Sequence, residues 1–77
     1  MSDLHFDQYL DAMHIDCPLP LLKMKQALRH MREGEVLKVC TTDGGAVRDF
    51  SAFVDHSTHQ MLEMFEDESC YFFYIMN

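Results

Sequence analysis

The 77-residue chain carries 13 Asp and Glu against 6 Lys and Arg, a formal net charge of −7. That length suits one domain burying roughly 60–65% of the surface of its extended chain, which leaves no room for a deep active-site cleft. The acidic balance argues against tight nucleic-acid binding, which needs several phosphates neutralised by Lys and Arg, and favours protein partners with basic docking surfaces.

Residues 1–6 have neither a basic stretch nor an apolar run and do not form a secretory signal; they read as a frayed lead. Nowhere do apolar residues run to the ~18 that a membrane span requires. Cysteines at 17, 40 and 70 are odd in number and form no CxxC pair, which does not suggest a disulfide framework and points to a reducing cytoplasm. All six basic residues, Lys23, Lys25, Arg29, Arg32, Lys38 and Arg48, fall in the middle of the chain, and both ends are purely acidic.

Residues 7–12 predict a short first strand with Tyr9 and Leu10 as its apolar positions, and 13–16 connect it to Cys17-Pro18-Leu19-Pro20. Proline is tolerated at the first helical position, so Pro18 marks a helix start and makes Cys17 its N-cap. A thiol at the positive end of a helix dipole can have its pKa lowered from about 8.5 into the ~3.5–7.5 range. Pro18 and Pro20 remove two of the donors that would otherwise crowd such a thiolate, leaving it nucleophilic, whereas Asp16 pulls its pKa upward. A lone cysteine is more often a small buried hydrophobe. Here its position between Asp16 and Pro18 is a surface position, and Ser, Thr, Asp or Asn would cap better, so a chemical role is the stronger reading.

From 18 to about 32, Leu21, Met24, Leu28 and Met31 recur three and four apart with Ala27 beside them, against Lys23, Lys25, Gln26, Arg29 and Arg32; this is an amphipathic helix, with Gly34 as its left-handed cap. Residues 35–41 alternate, Leu37 and Val39 on one face and Val36, Lys38 and Cys40 on the other, as a half-buried strand does. Residues 42–45 form a turn, and Asp43 is placed to cap a helix over 45–56 with Ala46, Val47, Phe50, Phe53 and Val54 inward. Gly44 and Gly45 belong to neither a GxGxxG nor a GK[ST] phosphate loop. Residues 59–66 predict a strand with Met61, Glu63 and Phe65 on one face, 67–69 a hairpin turn, and 70–76 a strongly β-forming strand. The sum is β-α-β-α-β-β, an α+β two-layer sandwich: a mixed four-stranded sheet in which crossover-linked strands pair in parallel, the last two strands pair antiparallel, and both helices cover one face. No repeat or linker divides residues 1–77, which predict one domain.

Leu10-Asp11, Cys17-Pro18-Leu19-Pro20, Leu22-Lys23-Met24-Lys25-Gln26-Ala27-Leu28, Gly34-Glu35-Val36-Leu37, Thr42-Asp43 and His59 together resemble the TusA/SirA-like sulfur-carrier family over residues 9–76. The resemblance implies a small cytoplasmic protein whose Cys-Pro-x-Pro cysteine, Cys17, takes a sulfane sulfur as a persulfide from a cysteine desulfurase or rhodanese-type donor. It then passes that sulfur to a downstream acceptor, on a route to tRNA thiolation, molybdenum cofactor or sulfur oxidation. The implied relay is of sulfurtransferase type and needs no cofactor. His14 stands where the family usually has a glycine, Gly44 where a proline is common, and Ser57-Thr58 where a glycine usually precedes the histidine.

A relay needs a nucleophilic thiolate on an exposed tip and little other machinery, which Cys17 at a helix start offers, with Asp16, Pro18 and Pro20 shaping that start. Lys23 and Lys25 lie about 9–12 Å along the helix from Cys17, and are placed to flank a docked partner. His14 could assist proton transfer, although loop histidines are more often passive. Three other readings compete. A regulatory binding module would work through the acidic surface alone; a metal site at His14 and Cys17 would need ligands such as Cys40 or Cys70 from other elements; a cysteine hydrolase would need a cleft and an oriented base.

Overall fold

The computed structural model describes residues 4–15, 18–68 and 70–77, ordered as β1 (Gln8–Ala12), α1 (Leu19–Arg29), β2 (Val36–Thr41), α2 (Ala46–Asp55), β3 (Gln60–Asp67) and β4 (Cys70–Met76). Every expected element is present, in a mixed four-stranded sheet of order β1-β2-β4-β3. β1 and β2 pair in parallel through the α1 crossover, with Leu10 opposite Val39, while β4 pairs antiparallel with both β2 and β3. The expected parallel pairing across the second crossover does not occur, because β4 lies between β2 and β3. The reason is in the side chains. β4 carries Phe73, Tyr74 and Ile75, three consecutive buried residues spanning both faces, and such a strand belongs in the middle of a sheet. β3 carries Glu63 and Glu66 and a bulge at its start, features suited to an edge.

That bulge, between Met61 and Glu63, also corrects the expected face of β3. Met61 sits opposite Ile75 and packs on the core, whereas Glu63 and Phe65 sit opposite Tyr74 and Phe72 on the other face. The extra residue reverses the alternation.

Met24 and Leu28 of α1, Phe50 and Val54 of α2, and Leu37, Val39, Phe73 and Ile75 of the sheet form one core, so both helices cover the same face. Phe50 and Phe73 meet at its centre with ring centroids 4.6 Å apart. No helix covers the opposite face, which is instead roofed by its own side chains. Lys38 Nζ lies 5.2, 5.9, 5.4 and 5.5 Å from the ring centroids of Phe6, Tyr9, Phe72 and Tyr74. Its aliphatic stem and the ring of Phe65, stacked 5.0 Å from Phe72, complete the cover, so that Tyr74 is only 1% exposed. Tyr9, expected as an apolar strand position, points to this face and is 51% exposed; Leu10 alone of the two faces the core. Phe6 likewise does not belong to a frayed lead but packs on Tyr9 and Tyr74.

Two side chains tie the chain's outer segments to the sheet. Asp7 Oδ2 accepts the Val36 N–H at 2.9 Å while its own N–H donates to Val36 O, extending the β1–β2 ladder by one step. Those contacts, first the Val36 N–H and then His5, hold the Asp7 carboxyl below its ordinary 3.8. Asn77 closes the other end of the sheet. Its Nδ2 donates to the carbonyls of Leu28 and Met31 at 2.9 and 2.8 Å, adding a second donor to Leu28 O, which already accepts the Met31 N–H at 3.2 Å, and bracing the end of α1. Helix α1 therefore stops at Arg29, short of the expected 32, and Gly34 is not its cap. Gly34, at φ 91°, is instead the left-handed residue of a turn closed by Glu35 N–H to Arg32 O at 3.1 Å.

Replacing Asn77 with Ala removes the donors at the end of α1 and should lower unfolding stability by roughly 1–2 kcal/mol, measured by urea denaturation with an unchanged slope. A carboxyl whose folded pKa is depressed adds stability above its unfolded pKa of about 3.9 and loses it as pH falls through the lower folded value. The stability gap between wild type and Asp7→Asn should therefore be present at neutral pH and close below about pH 4, as read from denaturation midpoints across pH.

Candidate functional site

Cys17 and Asp16 lie outside the described residues, so their expected roles are tested only through the residues around them. The first helical bond runs from Leu22 N–H to Pro18 O at 3.1 Å, which makes Pro18 the N-cap and sets Pro20 at the second helical position. The expected cap at Cys17 is therefore one residue too early: the carbonyl that accepts this first bond belongs to Pro18. The count of donors survives the shift, since in the opening turn only Leu19 and Leu21 carry an N–H. Pro20 is buried while Pro18 and Leu19 are exposed.

The segment leading to this start leaves β1 by a turn in which Met13 N–H donates to Asp11 Oδ1 at 3.0 Å. His14 follows in the left-handed region at φ 63°, and its N–H donates to Thr42 Oγ1 at 3.0 Å. That bond fastens the β1–α1 connection to the β2–α2 turn. Both emerge at the carboxyl ends of the two parallel strands, where open α/β sheets place their sites. That conformation places a Cβ close to the backbone, which glycine avoids, so His14 holds it at a cost. The His14 side chain is exposed.

In the β2–α2 turn, Asp43 does not occupy the cap position; Gly45 does. Asp43 works one step earlier, accepting the Gly45 N–H on Oδ1 at 3.1 Å and the Ala46 N–H on its backbone oxygen at 3.1 Å. Its own N–H donates to the Oγ1 of buried Thr41 at 3.1 Å. The second oxygen, Oδ2, is buried and meets no partner among the described residues.

Lys23 and Lys25 do not flank the helix start as a pair. Lys23 is exposed, whereas Lys25 turns toward α2 with Nζ 5.1 Å from the centroid of Phe53. There it borders an open groove of about 430 Å³, lined also by Leu28, Arg29, Met31, Phe53, His59 and Asn77. The groove lies beside the later turns of α1, beginning about 10 Å along the axis from Pro18. His59 is held at its rim by Ser57, whose Oγ accepts the His59 N–H at 3.1 Å and donates to Val54 O at 3.0 Å.

Of the other two thiols, Cys40 is 4% exposed and faces the roofed side of the sheet. The neighbouring Cys40 sulfur, with burial, pushes Tyr9 up to about 12. Cys70 is half-exposed because it begins β4 at the hairpin end. Among the described residues no three His, Cys, Asp or Glu side chains are grouped to hold a metal ion, and no helix is long and apolar enough to cross a membrane.

The family model for sulfurtransferase TusA matches residues 8–76. The sulfur carrier protein TusA of Allochromatium vinosum is 43% identical over 91% of this chain and 92% of its own. The protein of the same name from Pseudomonas putida is 33% identical over 97% and 94%. Among solved structures, a SirA-like protein from Desulfitobacterium hafniense superposes with a TM-score of 0.78 at 19% identity, covering 91% of this chain and 96% of the other, a likeness of fold. A four-stranded mixed sheet with two helices on one face thus defines a small α+β protein of the SirA-like fold. The chain belongs to the sulfurtransferase TusA family.

A histidine in the left-handed region costs what glycine does not. His14→Gly should keep the bond to Thr42 and raise stability by about 0.5–1 kcal/mol, while the β-branched His14→Val should lower it, both measured by thermal unfolding.

Proposed function

We propose that this chain is a persulfide carrier of sulfurtransferase type, acting as one domain, with Cys17 as the sulfur-bearing residue. The observation that carries this reading is family membership across residues 8–76, a span that includes the whole Cys-Pro-x-Pro element, together with relatives named sulfur carrier proteins. In the transfer, the Cys17 thiolate attacks the sulfane sulfur of a donor persulfide. An S–S bond forms to Cys17 and the donor's own S–S bond breaks, its electron pair leaving on the donor thiolate. The proton on the sulfane sulfur travels with it and no net oxidation occurs. The second half repeats the exchange with Cys17 persulfide as donor. A helix start that offers few N–H groups suits this cycle, because a thiolate in the dipole field but not saturated by hydrogen bonds stays nucleophilic.

The donor class is a cysteine desulfurase or a rhodanese-type enzyme. The acceptor is a protein on a route to tRNA thiolation, molybdenum cofactor or sulfur oxidation. Lys23 on the exposed face and Lys25 beside Phe53 would meet such a partner at different edges of α1. A reducing cytoplasm suits a carrier whose cysteine must return to the thiol between cycles.

Incubation with a cysteine desulfurase and cysteine should add about 32 Da, one sulfur atom, to Cys17 alone. Cys17→Ser should abolish the gain and leave the fold intact, since the residue stands before the helix cap. Alkylation should reach Cys17 first, half-exposed Cys70 next and Cys40 last. Sulfur mapped to Cys40 or Cys70, or accepted by Cys17→Ser, overturns the relay in favour of a binding module that works through the acidic surface.

A further inference from the structure

Leu19 and Leu22 are each 48% exposed, although the same helix buries Pro20, Met24 and Leu28 completely or nearly so. At about 100° per residue they share the outward face of α1 with Lys23, Gln26 and Arg29. They follow Cys17 by two and five residues in sequence and, among the described residues, form the apolar part of that face. Beyond them the face turns basic: Arg29 lies about 10 Å further along the axis than Leu22. Among the described residues neither Lys23 nor Arg29 makes an ion pair.

On a chain of net charge −7, an apolar step on the first turns of α1, with cations behind it that pair with no described carboxylate, has a defined complement. We propose that Leu19 and Leu22 are the anchors by which a protein sulfur donor docks, and that this donor presents an apolar lip around its own persulfide with carboxylates further out. The proposal rests on the carrier reading above and adds to it what the partner's mouth is made of. Large side chains fully desolvated at the centre of an interface carry most of its binding energy, and the charges at the rim set approach and orientation. The other exposed surfaces fit a donor less well. The open face of the sheet is already roofed by Lys38 and its rings, and the groove at His59 lies away from the helix start.

The test uses two sulfur sources on the full chain, with persulfide on Cys17 read by mass spectrometry. Inorganic polysulfide needs no docking; a cysteine desulfurase supplied with cysteine does. The uncharged pair Leu19→Ser with Leu22→Gln should load from polysulfide at the wild-type rate, yet need about fivefold or more desulfurase for the same rate, and Leu22→Met should stay near wild type. Circular dichroism checks that the exposed substitutions leave α1 formed. Equal loading of wild type and the double variant from the desulfurase overturns the docking proposal while leaving the carrier reading intact. Wild type that loads from polysulfide but not from the desulfurase overturns it too, since no donor of this class then recognises the ridge. Wild type that takes sulfur from neither source overturns the carrier reading itself.

Discussion

A two-layer fold with one layer of helices leaves half of its sheet to solvent, and β4 is the strand that makes this a difficulty. Phe73 and Ile75 point to the helices, Tyr74 points away from them, and all three are buried. Burying Tyr74 demands a cover that no helix supplies. Lys38, on the neighbouring strand and in register with Tyr74, lays its stem across the gap with its ammonium among four rings. Each such contact contributes about 0.5–1 kcal/mol where partly exposed, and the stem excludes water besides. With both faces closed over β4, the strand occupies the sheet interior, and β1 and β3 fall to the edges.

That arrangement separates the parts that stabilise the fold from the part available for chemistry. Core, roof and the Asn77 bonds all gather on β4, the centre of α2 and the end of α1. The opening turn of α1 hangs from the rim at the carboxyl ends of β1 and β2, moored by the His14–Thr42 bond and anchored by buried Pro20. Pro18 and Leu19 at its start are exposed and take no part in the core.

Much of the fold was legible because its signals are local. The three-and-four spacing from Leu21 to Met31 and the alternation of 35–41 each depend on a few neighbouring residues, and both elements lie where those patterns put them. Strand order is not local. The position of β4 between β2 and β3 follows from burial on both faces, which the run Tyr71 to Ile75 does announce once it is weighed against the charges of β3. The bulge after Met61 left no mark, since Gln60-Met61-Leu62-Glu63 contains neither glycine nor proline. The Asn77 bonds were invisible for a different reason: they span 46 and 49 positions, and a lone asparagine carries no local pattern.

At the candidate site the sequence named the motif and misplaced its cap by one residue, because two prolines two positions apart both fit a helix start and only the first hydrogen bond decides between them. Periodicity assigned the inward face of α1 correctly and treated everything else as solvated. Leu19 and Leu22 escaped notice for that reason: an apolar residue off the buried stripe looks like noise until its exposure is known. Helix geometry then makes the distinction physical. Pro20, one residue after Leu19, is buried under the same turn that leaves Leu19 outside, so the opening turn of α1 is gripped on one side and bare on the other.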